Sequence, residues 1–407
     1  MPPAPSDVAA AAERIAGDVV RTPAVRAPSL DERTRANVWL KLETRQRTGS
    51  FKDRGAANRM RQLSETERER GVIAMSAGNH AQAVAYQGTR LGVPTTIVMP
   101  QTTPFTKVRR TEQFGAKVVL VGETLADCGD EMHRLARQDG LTVVHPYDDA
   151  AVIAGQGTAG LEFLDEVANL EVLFVAVGGG GLIAGIALAA ALRNPAIEII
   201  GVETEAYPSL YRVLNGLPAV AGSATIAEGI AVKTIGEIPL RVVREHVREV
   251  ILVSEQAIEN AIHLLLEEEK LLAEGAGAAG VAALLENRER FRGRNVGVVV
   301  TGGNIDTGLL ANVIMRVRLV KGRVVRMRIE IADRPGILAE VAAIIGACGA
   351  NILDVTHQRL FHDVPTKNAE LDVTFETRSP GDVERVMGKL LESNFKATIL
   401  ESTAKSG

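Results

Sequence analysis

Two stretches of this chain place reactive or anion-holding groups where a helix begins. The first is Thr48-Gly49-Ser50-Phe51-Lys52-Asp53-Arg54-Gly55-Ala56. It follows the strand-like run Val38–Leu42 and leads into a helix-forming segment, so Lys52 falls in the first helical turn. The positive end of the helix dipole and partial burial beside Phe51 both disfavour an ammonium ion there. A lysine that gives up its proton easily is what Schiff-base chemistry needs. Taken alone, the stretch also fits an ordinary solvated lysine behind a turn in which Thr48, Gly49 and Ser50 cap the helix. The second stretch, Ser76-Ala77-Gly78-Asn79-His80, ends an apolar strand and opens a helix. Glycine permits close backbone approach, and first-turn N–H groups can hold a carboxylate. The same groups can equally serve as a plain cap, and His80 reads best as a helix residue with no proton-transfer role.

Gly178, Gly179, Gly180 and Gly181, followed by Leu182, end a third strand and start a third helix. Four successive glycines are a poor structural filler, because each one costs conformational entropy. They do expose several N–H groups to an anion such as a phosphate. The anion stays open at this point. Gly179 to Ala184 also satisfies the dinucleotide pattern Gly-x-Gly-x-x-Gly/Ala, and Glu203 closes the next strand about 20 residues on. Finally, Val298-Val299-Val300-Thr301-Gly302-Gly303-Asn304 is a buried strand that ends in a hydroxyl and two glycines. Thr301 can cap the segment from Asp306 or offer its hydroxyl to a ligand.

Positioning these groups requires strands and helices in alternation. Apolar runs occur at Gly71–Met75, Thr95–Met99, Lys117–Val121, Thr142–Val144, Val172–Val177, Glu198–Val202, Val250–Val253 and Val296–Val300. Helical segments separate them, from about His80, Pro104, Leu125 and Ile183 among others. Continuous apolar strands of this kind belong to parallel sheets covered on both faces, so the fold class is α/β. Ligands bind such sheets at the carboxyl ends of the strands, where the motifs fall.

At 407 residues, two or three domains are expected. The texture changes near Arg316, where Arg316, Arg318, Lys321, Arg323, Arg326 and Arg328 alternate with Val, Leu and Met. This reads as a solvated edge strand or linker. Beyond it, strands near 326–331, 351–358, 371–376 and 397–400 with helices to Cys348 and over 382–392 give a ferredoxin-like βαββαβ unit. A net charge of −4 leaves no basic excess for nucleic acid. The chain shows no signal peptide and no apolar run long enough to span a membrane. Cys128 and Cys348 are too far apart to pair as a metal motif. A cytoplasmic protein is expected.

Ser-Phe-Lys-x-Arg-Gly-Ala, Ser-Ala-Gly-Asn-His-Ala-Gln, the tetraglycine and Thr-Gly-Gly-Asn stand in the order found in the serine/threonine dehydratases. The chain from about residue 5 to residue 320 resembles that family of fold type II pyridoxal-phosphate (PLP) enzymes. The resemblance implies a tryptophan synthase β-like catalytic region over 1–320, with two parallel-sheet subdomains, the smaller at roughly 45–150. By the same resemblance Lys52 binds PLP and acts as catalytic base, next to Phe51. Asn79 contacts the phenolic oxygen, Gly178, Gly179, Gly180, Gly181 and Leu182 hold the phosphate, and Thr301 partners the pyridine nitrogen. Serine is the usual residue in that last position. A hydroxyl there, unlike a carboxylate, leaves the ring a weaker electron sink, which suits β-elimination. Ser76, Gly78, Asn79 and His80 are implied for the substrate carboxylate. Backbone carbonyls near Glu203 and Ala227 are implied for a monovalent cation, as in some relatives. Gly155-Gln156-Gly157-Thr158, the loop from Ala227 and Glu274-Gly275-Ala276-Gly277 are weaker likenesses, and Glu274 reads as a helix N-terminal residue without chemistry.

The unit at 326–407, after a linker at 321–325, resembles an ACT domain, the small amino-acid-sensing module. Asp333 to Gly336 would form its effector turn, with Gly336, Ile337, Asn351 and Ile352 as effector residues. Isoleucine or valine is the expected effector. ACT domains usually pair, so a homodimer or homotetramer is expected. The activity implied is dehydrative deamination of L-threonine to 2-oxobutanoate and ammonia, with L-serine giving pyruvate. A serine racemase or hydroxyaspartate lyase on the same scaffold is the nearest alternative. Relatives that racemise carry a serine at the position of Ala77, and alanine cannot accept a proton. An amino-acid sensor without activity and a nicotinamide enzyme are the more distant alternatives.

Overall fold

The computed structural model describes residues 1–220, 222–358 and 368–400. The chain divides into two compact units, Met1–Ile305 and Asp306–Gly407. The first contains ten strands: β1 (Ala24–Arg26), β2 (Asn37–Leu42), β3 (Val72–Met75), β4 (Thr95–Met99), β5 (Lys117–Leu120), β6 (Thr142–Val143), β7 (Val172–Ala176), β8 (Glu198–Thr204), β9 (Glu249–Val253) and β10 (Asn295–Val300).

These strands form two sheets, ordered β1-β2-β10-β7-β8-β9 and β5-β4-β3-β6. The smaller sheet is parallel throughout. The larger one is parallel except at its edge, where β1 pairs antiparallel with β2. Every apolar run expected to be a strand is one. β1 was not foreseen: three residues that include Val25 and Arg26, close to Pro23 and Pro28, carry no readable alternation.

The two sheets meet through helices that approach one another closely. Helix Ala150–Glu166 starts at Asp149, whose side chain accepts from the Val152 amide at 2.9 Å. A Cβ at Gly155 would lie 2.6 Å from the Arg54 carbonyl, and one at Gly157 would lie 2.5 Å from the Gly185 carbonyl. The Gly155-Gln156-Gly157 stretch is therefore a helix-crossing device. It lets helix Ala150–Glu166 pack on both Lys52–Arg61 and Gly181–Arg193.

The second unit starts with helix Thr307–Val320. Its strands are β11 (Val324–Ala332), β12 (Asn351–Gln358), β13 (Asn368–Glu376) and β14 (Lys396–Ile399), in the order β12-β13-β11-β14 and antiparallel. Helices Ile337–Ala347 and Pro380–Glu392 complete the βαββαβ order. Met327, Ile329, Leu371, Val373 and Phe375 face the core with Val341, Ile345, Val386 and Leu390.

The basic stretch expected as an edge strand or linker is not an edge strand, and of its residues Lys321 and Arg323 alone fall in a connecting turn, between the helix and β11. Arg316 and Arg318 lie in the helix, and β11 is an interior strand between β13 and β14. Period-2 alternation turns Met327 and Ile329 inward and leaves Arg326 and Arg328 on the opposite face. There both pair with Asp372, Arg328 Nε at 2.7 Å and Arg326 at 3.1 Å. Neutralisation by an acid on the neighbouring strand is what a reading of charge along one segment misses.

Candidate active site

Lys52 is the first residue of helix Lys52–Arg61. The expected capping by Thr48 and Ser50 does not occur, and no side chain caps this helix. The bonding runs the other way: buried Asp53 accepts from the Thr48 amide at 2.8 Å and the Thr48 hydroxyl at 2.9 Å. Burial raises the Asp53 carboxyl to about 6, against which these two bonds act. One residue on, fully buried Arg54 pairs with Glu43 and Glu162, both at 2.7 Å. Glu162 also takes Lys41 Nζ, at 2.9 Å. The charge cluster pins the first helical turn, and with it the backbone of Lys52.

Antiparallel pairing of Ser50 with Gly302 ties this loop to the end of β10. The Phe51 amide donates to the Thr301 carbonyl and the Gly303 amide to the Gly49 carbonyl, both at 3.0 Å. Two motifs about 250 positions apart in sequence are thus one loop pair in space. Lys52 Nζ donates to the Pro146 carbonyl at 2.7 Å and lies 5.1 Å from the centre of the Phe51 ring. Burial lowers its pKa from 10.5 to about 8, against the opposing pull of the Glu274 carboxylate. The expected direction is met, and burial is the cause.

Asn79 opens helix Asn79–Leu91. Its Nδ2 donates to Glu274 Oε1 at 2.7 Å, and its Oδ1 accepts from Asn304 Nδ2 at 2.8 Å. Asn304 Nδ2 also donates to the Thr48 carbonyl, at 2.7 Å. A polar chain therefore joins all the motif ends except the tetraglycine. Glu274 precedes helix Gly275–Glu286 but does not cap it. Burial raises its carboxyl from 4.5 to about 7. No local pattern signals that ionisation, since a glutamate at a helix start reads alike whether solvated or enclosed.

Ser76 Oγ accepts from the Gly78 amide at 3.2 Å. His80 Nε2 bonds the Val144 carbonyl at 2.8 Å, and burial drops its pKa to about 3. His80 is therefore neutral, and Nε2, facing a carbonyl, carries the proton. Its Nδ1 has no hydrogen-bond partner among the described residues. Thr301 is buried at the mouth of β10, and Asp306, not Thr301, caps the helix that follows.

Gly180 has φ +91°, a conformation that lets the tetraglycine turn into helix Gly181–Arg193. Among the described residues, the amides of Gly178 to Gly181 find no acceptor. The ring of Tyr147 lies over Gly179, where a Cβ would come within 2.2 Å of it. Tyr147 was not anticipated, nor was His145, whose Nδ1 accepts from the Asp148 amide at 2.7 Å. The signal available was position: both follow β6 at the carboxyl end of a parallel strand.

Glu203 and Ala227 are the remaining candidates of the first unit, and Ala227 packs against Gly275, next to Glu274. Glu203 accepts from the Leu210 and Tyr211 amides at 2.8 and 2.9 Å, and burial raises it to about 7. The Ala227 amide donates to Thr225 Oγ1 at 3.0 Å. Glu255 links the two regions, bonding Thr204 on one side and Thr225 and Ile226 on the other. In the second unit, Gly336 adopts φ +87° ahead of helix Ile337–Ala347, and Ile337 is buried. Asn351 Nδ2 donates to Glu376 Oε1 at 3.0 Å, and Ile352 packs on the core. No helix among the described residues is long and apolar enough to cross a membrane.

Residues 15–302 match the family described as pyridoxal-phosphate dependent enzyme, and residues 320–394 match the ACT domain. The chain is 41% identical over 396 residues to an L-threonine ammonia-lyase of Thermotoga maritima, covering 97% of this chain and 98% of that one. The processed form of threonine deaminase isoform 2 from Solanum lycopersicum superposes with a TM-score of 0.73 at 35% identity, over 76% of this chain and 91% of that one. Maize serine racemase gives a TM-score of 0.74 at 31% identity, over 79% and 99%.

Proposed function

Because this chain belongs to the family of pyridoxal-phosphate-dependent enzymes and carries an ACT domain, we propose that it deaminates L-threonine to 2-oxobutanoate and ammonia. The observation that carries the reading is a partly buried lysine whose pKa is drawn down to about 8, set beside a strand that ends in the buried hydroxyl of Thr301. Similarity to the Thermotoga maritima threonine ammonia-lyase over nearly the whole chain supports the choice of substrate.

The residues present fit the cofactor. The unbonded amides of Gly178 to Gly181 suit its phosphate, Lys52 Nζ would hold it covalently, and Thr301 would partner its ring nitrogen. When bound, the cofactor supplies the electron sink that makes the substrate α-hydrogen acidic. The chain supplies the base. With a pKa near 8, roughly a tenth of Lys52 is neutral at pH 7. Once free, that amine takes the α-proton, and the Pro146 carbonyl orients it. The amides at the start of helix Asn79–Leu91, with Ser76, bind the substrate carboxylate. The neutral Thr301 hydroxyl places no proton on the ring nitrogen, which favours loss of the β-hydroxyl over competing routes. The water lost in elimination returns on hydrolysis, so threonine yields one 2-oxo acid and one ammonia.

L-Serine would react by the same route to give pyruvate. Ala77 offers no opposite-face base, which disfavours racemisation. The effector we propose is isoleucine or valine, at Gly336, Ile337, Asn351 and Ile352. Measuring 2-oxo acid release from L-threonine and L-serine, with and without each branched-chain amino acid, tests the reading. No release from threonine by a cofactor-loaded chain would sink it, as abundant D-serine from L-serine would sink the choice of lyase over racemase.

A further inference from the structure

Beside the glycine cradle lies a cavity of about 170 Å³. Its apolar lining includes Val213, Leu217, Val220, Ile235 and Leu240. Two cations, Arg212 and Lys233, also line it, and no carboxylate does. Arg212 Nε is spent on the Pro218 carbonyl, but neither Arg212 nor Lys233 belongs to an ion pair among the described residues. A cavity of about 150 Å³ lined by aliphatic side chains accommodates a molecule the size of benzene. The space therefore suits a hydrocarbon body of four to six carbons, and the uncompensated positive charge suits an anionic head. A phosphate ester would waste the apolar lining, and an amine would face two like charges.

The segment Val232–Gly236 is a wall shared with the glycine cradle. On one side it contributes Lys233, Thr234 and Ile235 to the cavity. On the other, Val232 packs near Gly178, and the Gly236 amide donates to the Gly179 carbonyl at 3.1 Å. Thr234 bonds Tyr147, whose ring covers Gly179.

We propose that this cavity binds a short aliphatic carboxylate, with its chain among Val213, Leu217 and Leu240 and its carboxylate at Lys233 and Arg212. It is a ligand site built wholly from the first unit. The site is independent of the reaction assigned above, and a failure of either reading leaves the other standing.

The test is calorimetric titration of the full-length, cofactor-loaded chain with 3-methylbutanoate and, separately, with the uncharged 3-methylbutanamide. The acid should bind at one site per chain, and the amide on the order of tenfold more weakly. Lys233→Gln should weaken acid binding by a similar factor, and Val213→Trp, a change at a half-exposed rim position, should abolish it by filling the space. Both variants should keep the visible absorption of the bound cofactor, which reports an intact fold. The proposal is overturned by absence of binding at millimolar acid, by equal affinity for acid and amide, or by acid binding undiminished in either variant.

Discussion

Replacing Glu274 with glutamine keeps the side chain's length and leaves an oxygen to accept from Asn79 Nδ2, as Glu274 does at 2.7 Å. What it removes is the charge. Burial holds this carboxyl at about 7 instead of 4.5, so the folded chain binds more protons here than the unfolded chain between those two values. Stability contributed by the site is thus complete below pH 4.5 and is lost as pH rises through 7. A displacement of that size corresponds to ~3 kcal/mol at most, and water reaching the partly buried side chain lowers it toward ~1 kcal/mol. Glutamine has no such dependence. The variant should match the wild type near pH 4.5 and exceed it above pH 7. For a unit of Met1–Ile305, unfolding entropy of ~2.1 cal/mol/K per residue turns this into a gap of about 2–5 °C in Tm. The assay is a thermal melt of cofactor-free wild type and Glu274→Gln from pH 5 to 8.5, since bound cofactor would shift Tm by itself. A gap that is constant with pH, or widest at the acid end, would refute the reasoning that this carboxyl is forced to stay protonated.

Lys52→Ala should lose both the visible absorption of the bound cofactor and 2-oxo acid production while remaining folded by circular dichroism; measurable threonine turnover in that variant would overturn Lys52 as the base. Thr301→Ser should leave turnover nearly unchanged, whereas Thr301→Asp should slow elimination on the order of tenfold or more by holding a proton on the ring nitrogen, and equal rates in steady-state assays would discredit the role given to the hydroxyl. Arg54→Met should strand the buried carboxylates Glu43 and Glu162 and cost about 3–5 kcal/mol, seen as a drop of roughly 5–8 °C in Tm; an unchanged Tm would mean that the cluster does not anchor the Lys52 turn.

Whatever depends on near neighbours in the chain was legible in the residues. Apolar runs at Val172–Val177 and Val296–Val300 became strands because strand burial on both faces leaves a continuous hydrophobic signature. Lys52, Asn79 and Gly181 could be placed at helix starts, since the turns before them and the helix formers after them are local. The βαββαβ order of the second unit was legible for the same reason. Tertiary structure alone decided what joins these ends. Asn79 and Glu274 are 195 positions apart, and their bond exists because Asn79 follows β3 of one sheet while the Glu274 amide is tied to the Gly302 carbonyl at the end of β10 in the other. Tyr147 over Gly179 and Arg54 between Glu43 and Glu162 arise in the same way. The basic residues near β11 looked solvated because their partner, Asp372, sits on the neighbouring strand β13. Desolvation is a property of the atoms that surround a group, not of its place in the chain. The protonation of Glu274 and Lys52 was therefore set only when the fold chose their surroundings.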